Sequence, residues 1–241
     1  MTSRASAAAA WAERHLDALY ERAGPSTIVR VRSTDVPTPR VHLLRTAHAN
    51  YGLVAASVPE DVTAAIRAML AAEPVTTPDD WETTPPRCAP AIRALLGQPV
   101  AEYRGPAFAF PAVLSSMAPP AGFSIEVLSE PRGVVTAPLV EWVRRAKPEE
   151  EPVVVAEDRS GVIVGVCHAA RRSASAAEAG LEVDPVARGR GLGVALSLAW
   201  ASAVREGRRE PLYSTSWANA ASRAVAGRLV LVLMGEDWHV R

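Results

Sequence analysis

From residue 8 onward, small and apolar positions return every three or four residues, at Ala8, Trp11, Ala12, His15, Ala18 and Leu19. That spacing predicts an amphipathic helix over 8–23, closed by Gly24-Pro25. Apolar residues at 28–31 and across 41–58 read as extended segments. The run EDVTAAIRAMLAAE, 60–73, predicts a second helix with acidic residues at its positive end, and a short helix follows at about 89–97. Pro106, Pro111, Pro119 and Pro120 then break the pattern and place a boundary within 105–122, dividing the chain into an α/β region over 1–115 and a domain over 120–241.

Beyond that boundary strands and helices alternate. Strands are expected at 123–128, 152–156, 162–167, 176–183, 212–216 and 231–234, with Asp158-Arg-Ser-Gly161 turning the second into the third as a hairpin. Helices are expected over 133–146, with Leu139, Trp142 and Val143 on one side, and at about 192–206 and 219–229. This order favours an α/β or α+β arrangement over a helical bundle.

Composition narrows the function classes. The 241 residues are 49% hydrophobic, enough for a sizeable core, and 26 basic residues balance 26 acidic ones, so no overall field favours nucleic acid or an anionic membrane. Lys147 is the one lysine among the basic residues, which points to a GC-rich, bacterial kind of coding genome. Cys88 and Cys167 lie far apart without metal-ligand spacing, so neither a disulfide framework nor a zinc or other metal site is indicated. The alanine run near the N-terminus is cut by Glu13, Arg14 and Asp17, too early for a signal peptide, and no apolar run approaches a membrane span. A cytoplasmic location is the expectation.

The densest chemistry lies in ValAspProValAlaArgGlyArgGlyLeuGly, 183–193, between the expected strand and the expected helix. The first amides of a helix lack partners within it, and the helix dipole makes that end electropositive, so a phosphate is a natural occupant. Gly189, Gly191 and Gly193 permit close backbone approach and positive φ, while Arg188 and Arg190 can balance negative charge. The spacing fits neither a Walker A loop nor GxGxxG. It resembles the acyl-CoA signature (Q/R)xxGx(G/A) of the GNAT N-acetyltransferases, met by Arg188, Gly191 and Gly193. LeuGluValAspPro before it and SerTrpAlaAsnAlaAlaSer (216–222) after it stand where that family has its fourth strand, fifth strand and next helix.

The resemblance covers about 123–241. It implies an α+β fold with a mixed, mostly antiparallel central sheet flanked by helices; the N-terminal region, whose helices and extended segments are too hydrophobic to stay unpacked, is expected to pack against it and shape the acceptor side. It further implies acetyl-CoA as cosubstrate and direct transfer to a primary amine of a small molecule, with a homodimer allowed. The backbone of Gly189, Arg190, Gly191, Leu192, Gly193 and Val194 would hold the pyrophosphate, the strand ending at Val183 would pair with the pantetheine arm, and Asn219 and Ser222 would help place the cofactor. Asn219 can equally serve as a helix cap.

Period-two alternation puts Glu178 and Glu182 on one face with Gly180 between them, making Glu178, then Glu182, the candidate general base; both are otherwise solvated. Ala226 stands where the family often has a tyrosine acid, leaving Ser222, Tyr213 or no acid at all. Val230 replaces the usual glycine after that helix, which should weaken the turn. Cys167 and His168 point to opposite sheet faces and do not make a nucleophile pair. GlyGluAspTrpHisVal, 235–240, would fall near the acceptor groove, with Trp238 a core residue otherwise. Two rival readings remain: a noncatalytic acyl-CoA-binding module, and an unrelated nucleotide-binding protein using the same helix mouth.

Overall fold

A computed structural model of the chain describes residues 4–32, 36–97, 101–130, 134–148 and 150–241. In chain order these form α1 (Arg4–Leu19), β1 (Tyr20–Arg22), β2 (Thr27–Val31), β3 (Val41–Thr46), β4 (Asn50–Ala55), α2 (Glu60–Ala71), α3 (Pro78–Trp81), α4 (Ala89–Leu96) and β5 (Glu102–Ala109). There follow β6 (Phe123–Leu128), β7 (Val134–Val135), α5 (Val140–Arg145), β8 (Val153–Asp158), β9 (Val162–Arg172) and β10 (Ala176–Val183). The last elements are α6 (Leu192–Glu206), β11 (Glu210–Ser214), α7 (Ala220–Arg228) and β12 (Val232–Val240).

Two compact units result. The first holds residues up to Ala109 together with Ser214–Arg223 and Val232–Arg241, and the second holds Phe110–Tyr213 and Ala224–Leu231. The expected division at 115–120 therefore differs in giving 214–223 and 232–241 to the second half. The physical reason is β12, which pairs antiparallel with β3 from Gly235↔Thr46 to Val240↔Val41 and with β5 from Val232↔Ala109 to Val240↔Glu102. Residues 235–240, expected near an acceptor groove, are thus the middle of a buried sheet, and Trp238 is fully buried.

In the first unit the strands run β1-β2-β4-β3-β12-β5, all antiparallel except β2 beside β4. All six residues expected on the inner face of α1 are buried. The helix ends four residues early, because Tyr20–Arg22 pair with β2 and the Tyr20 hydroxyl shares a hydrogen bond with Nδ1 of His42 at 2.5 Å. β5 runs through Pro106, which loses only a donor: its carbonyl accepts from the Thr215 amide at 3.2 Å.

β12 carries two buried carboxylates that must be satisfied inside this unit. Nε2 of His15 meets Asp237 at 2.9 Å and Nε2 of His42 meets it at 3.0 Å. Burial alone would raise the Asp237 carboxyl, but the two imidazoles outweigh it and hold the group well below the usual carboxylate range. Glu236 is paired with Arg45, lies 3.3 Å from Arg104 and accepts from Trp217 Nε1 at 2.7 Å. Even so, desolvation keeps its carboxyl above the ordinary value.

The second unit runs β11-β10-β9-β8-β6, with β7 beside β9. Its strands are antiparallel apart from β10/β11 and β7/β9, giving the mixed, mostly antiparallel sheet the family resemblance implies. One face is covered by the 139–146 segment, where Leu139, Trp142 and Val143 pack against Val153, Val155 and Val166. The expected helix over 133–146 is realised as β7, a 3-10 turn over Ala137–Leu139 and α5, its first residue lying outside the described ones. The other face carries α6, whose Leu192, Leu196, Trp200 and Val204 are buried. No described helix is long and apolar enough to cross a membrane.

The turn after α7 is strained where the sequence warns of it. Val230 sits at φ 53°, while Leu231 and Val230 donate to the carbonyls of Ala226 and Gly227 to close the helix. A left-handed residue with a Cβ costs about 1–2 kcal/mol, against about 0.5–1 kcal/mol for the extra freedom of glycine in the unfolded chain. Val230→Gly should therefore raise unfolding stability by about 0.5–1 kcal/mol in denaturant titration, and a loss of stability would show that the turn is not strained.

Asp237 supplies a second test. Its folded-state pKa lies below that of the unfolded carboxylate, so its contribution is complete above about pH 4 and is lost as pH falls below that. Asp237→Asn should cost about 3–5 kcal/mol at neutral pH, and its deficit relative to the parent should shrink on acidification. Stability curves that stay parallel down to low pH would remove Asp237 from the account.

Candidate functional site

β10 and α6 have the bounds the sequence predicts, and the segment between them is built for a sharp reversal. Asp184 caps a short 3-10 turn over Pro185–Ala187 by accepting from the Val186 amide at 2.9 Å. Gly189 and Gly191 then adopt φ of 79° and 84°, a region closed to most side chains, and Gly191 is the N-cap of α6. Gly193 serves a different purpose. A Cβ there would come within 3.1 Å of Val225 Cγ2 and 3.4 Å of Leu181 Cδ2, so its bareness lets α6 start close to both.

The amide of Val194 donates to the Gly191 carbonyl at 3.1 Å, and Ala195 does the same at 3.2 Å. The expected run of free amides therefore ends one residue early, at Gly193. Among the described residues no hydrogen bond uses the amides from Gly189 to Gly193. The side chain of Leu192 is buried, so this residue presents only its backbone.

The strand leading in is equally specific. β10 pairs with β11 at Ala176↔Glu210, Ala177↔Pro211 and Glu178↔Leu212, and the ladder stops there although β10 continues to Val183. Asp184 donates to Val164 on the β9 side at 2.8 Å, so by alternation Gly180 and Glu182 also turn their backbone groups to β9. Ala179, Leu181 and Val183 turn theirs to the edge that β11 has left. Val183 is already engaged: its carbonyl accepts from Arg188 Nε at 3.0 Å and its amide donates to Glu182 Oε1 at 3.2 Å. Ala179 borders the last rung, so Leu181 is the next residue whose backbone faces this edge beyond it.

The two candidate carboxylates differ in setting. Glu178 is 1% exposed, not solvated, and its Oε2 lies 2.6 Å from Nε of Arg171, directly across the ladder. A bulge between Glu178 and Ala179 in the β10–β9 pairing brings Arg171 opposite it. Glu182 is partly exposed and bonds Arg188 Nη2 at 2.8 Å. Arg188 is thus tied to both Glu182 and Val183.

Asn219 and Ser222 belong to the first unit. There the Asn219 side chain accepts from the Ser222 amide at 3.0 Å, which is the helix-capping role. Ala226 is buried and Tyr213 is buried against Phe110, edge to face with ring centroids 6.5 Å apart.

Cys167 and His168 do not form a nucleophile pair. Burial pushes the Cys167 thiol up, with Ser197 of α6 as its partner, whereas the His168 ring stands edge-on to Trp142 of α5. Sequence reasoning missed the surroundings of His168. Its Nδ1 donates to the Ala169 carbonyl at 3.1 Å and lies 4.0 Å from Glu151, whose carboxyl is raised by burial although Arg172 stands 3.0 Å away. Gly180 was the available signal, because a Cβ there would crowd His168 and Trp142 at 3.3 Å. Among the described residues no group of His, Cys, Asp and Glu is arranged to hold a metal ion.

No family model and no curated protein matches the chain. It is similar to solved structures of acetyltransferases. One is a GCN5-related N-acetyltransferase from Sphaerobacter thermophilus, 20% identical, covering 64% of this chain and 55% of that one, with a TM-score of 0.45. Another, from Kribbella flavida, is 18% identical over 58% of this chain and 59% of that one, with a TM-score of 0.43. A GCN5-related N-acetyltransferase-like protein from Streptococcus suis is 15% identical over 87% of each chain, with a TM-score of 0.47. The matched region spans little more than half the length of the first two.

The Arg171–Glu178 pair can be tested directly. In a double-mutant cycle with Arg171→Met and Glu178→Gln, the two losses should couple by at least about 1 kcal/mol, since removing the partly exposed guanidinium takes the nearest cation away from the buried Glu178 carboxylate. Additive losses would show that the two side chains act independently.

Proposed function

We propose that the chain is an acyltransferase that binds acetyl-CoA at the end of β10 and passes the acetyl group directly to a primary amine of a small molecule. The observation that carries this reading is a pairing of two features: five consecutive amides, Gly189–Gly193, without partners among the described residues, and a strand edge that β11 leaves after Glu178. A diphosphate needs concentrated donors and a bare backbone, and an amide-bearing arm needs an unpaired strand edge, which the backbone of Leu181 offers. The bound cosubstrate would supply the acetyl thioester. The residues of the chain would fix it and accept the amine proton.

Glu178 is the first candidate for that proton. It stands at the last rung of the β10–β11 ladder, and Arg171 holds it in place. Glu182 is the second candidate, although its bond to Arg188 already engages it. No metal takes part in this scheme, and neither nucleic acid nor a membrane is a partner in it.

The noncatalytic reading, an acyl-CoA-binding module, draws on a specific observation. The position where the family often places a tyrosine acid is Ala226, buried and apolar. Both readings require binding, and only the first requires turnover.

Acetyl-CoA at about 100 times its dissociation constant should stabilise the protein by ~2.7 kcal/mol. Gly191→Asp, which places a Cβ and a negative charge at a φ of 84°, should abolish the shift. An unchanged shift in that variant would remove the amide run from the site. In an amine screen read by release of free thiol, Glu178→Gln should lower turnover by roughly 10²–10⁴ without changing the acetyl-CoA shift. Binding without thiol release for any amine favours the noncatalytic module, and a stronger shift with ATP or NAD favours a different nucleotide.

A further inference from the structure

The two arginines of the loop have different surroundings. Arg188 is spent within the chain: Nη2 meets Glu182 at 2.8 Å and Nε donates to the Val183 carbonyl at 3.0 Å. Its charge is locally balanced, and its donors close the end of β10. Arg190 has no carboxylate partner among the described residues. Its guanidinium instead lies over the half-buried ring of Phe123, 5.6 Å from the centroid, at the first residue of β6. Pro120, three residues before that ring, lies 3.8 Å from where a Gly191 Cβ would stand. The exposed cation is therefore seated beside the glycine turn, on an aromatic face that restrains it, with its fork of N–H donors uncommitted.

We propose that Arg190, seated on Phe123, selects the nucleotide end of the ligand by binding the 3′-phosphate of coenzyme A. This rests on the acyl-CoA reading and assigns to Arg190 a task that Arg188 does not share. The backbone amides suffice for the diphosphate, which every coenzyme A derivative carries. The third phosphate, the 3′-phosphate present in coenzyme A and absent from 3′-dephospho-coenzyme A, needs a separate cation, and Arg190 is the arginine of the loop not neutralised by a carboxylate among the described residues. Phe123 acts as a positioning residue, holding the guanidinium and lowering the entropy lost when a phosphate docks.

The test is calorimetric titration of coenzyme A and of 3′-dephospho-coenzyme A into the full chain, as the parent, Arg190→Gln, Arg188→Gln and Phe123→Leu. The parent should prefer coenzyme A by about three- to tenfold, the range of a partly exposed charge-assisted pair. The preference should shrink between about 0.05 M and about 0.5 M salt, as the pair is screened. Arg190→Gln should bind both ligands equally, losing more affinity for coenzyme A than for the dephospho form. Arg188→Gln should keep the preference whatever happens to overall affinity, and Phe123→Leu should reduce it. A preference that survives Arg190→Gln, or that disappears equally with Arg188→Gln, overturns the assignment. Equal binding of the two ligands by the parent overturns this proposal alone, and binding of neither overturns the acyl-CoA reading as well.

Discussion

The parting of β10 from β11 after three rungs is the constraint on which the candidate site depends. If the parallel ladder ran on, the edge groups of Leu181 would be spent within the sheet and no arm of a ligand could add to it. Because β10 outruns the ladder by five residues, the strand delivers an open edge and, immediately after it, a helix mouth. The reversal between them demands two residues at positive φ, which Gly189 and Gly191 supply at little steric cost. Glu178 stands at the fork itself, held by Arg171 through a bulge that shifts the facing strand by one residue. One local feature thus sets the edge, the amides and the candidate base together.

The first unit is organised by a different constraint, the burial of Glu236 and Asp237 on adjacent positions of β12. A strand carrying two fully desolvated carboxylates is viable only where cations and N–H donors meet it on both faces. His15 and His42 meet Asp237, while Arg45, Arg104 and Trp217 meet Glu236. Those partners come from α1, β3, β5 and the segment before α7. This is why the last strand of the chain belongs with its first hundred residues and not with the element that precedes it.

Much of this was legible in sequence where local pattern and punctuation agree. β10 and α6 follow period two and then a helical apolar stripe, separated by glycines, and their limits emerge as predicted. The glycine turn and the misfit at Val230 were legible for the same reason, since both are matters of φ, which residue type controls. Features decided by distant partners were not. Tyr20–Arg22 continues a helical pattern, yet pairing with β2 and the hydroxyl bond to His42 pull it into a strand. β5 was hidden by Pro106, whose missing donor the strand tolerates. The polar residues of 235–240 read as neighbours of an acceptor groove because charge on a strand is usually reached by solvent or ligand, and only the fold supplies their partners. Likewise, nothing in the spacing reveals that Arg188 is neutralised by Glu182 while Arg190 is not, or that the bulge brings Arg171 opposite Glu178.

The central claim is that one ligand engages both the edge of β10 and the amides ahead of α6. Backbone amide chemical shifts and hydrogen exchange, followed by NMR as coenzyme A is added, test it most directly. The account predicts that Leu181 and the amides of Gly189–Gly193 shift and become protected together, while the amide of Val194, already bonded to Gly191, changes least. Saturable binding that leaves Leu181 and the glycine amides unperturbed would contradict it.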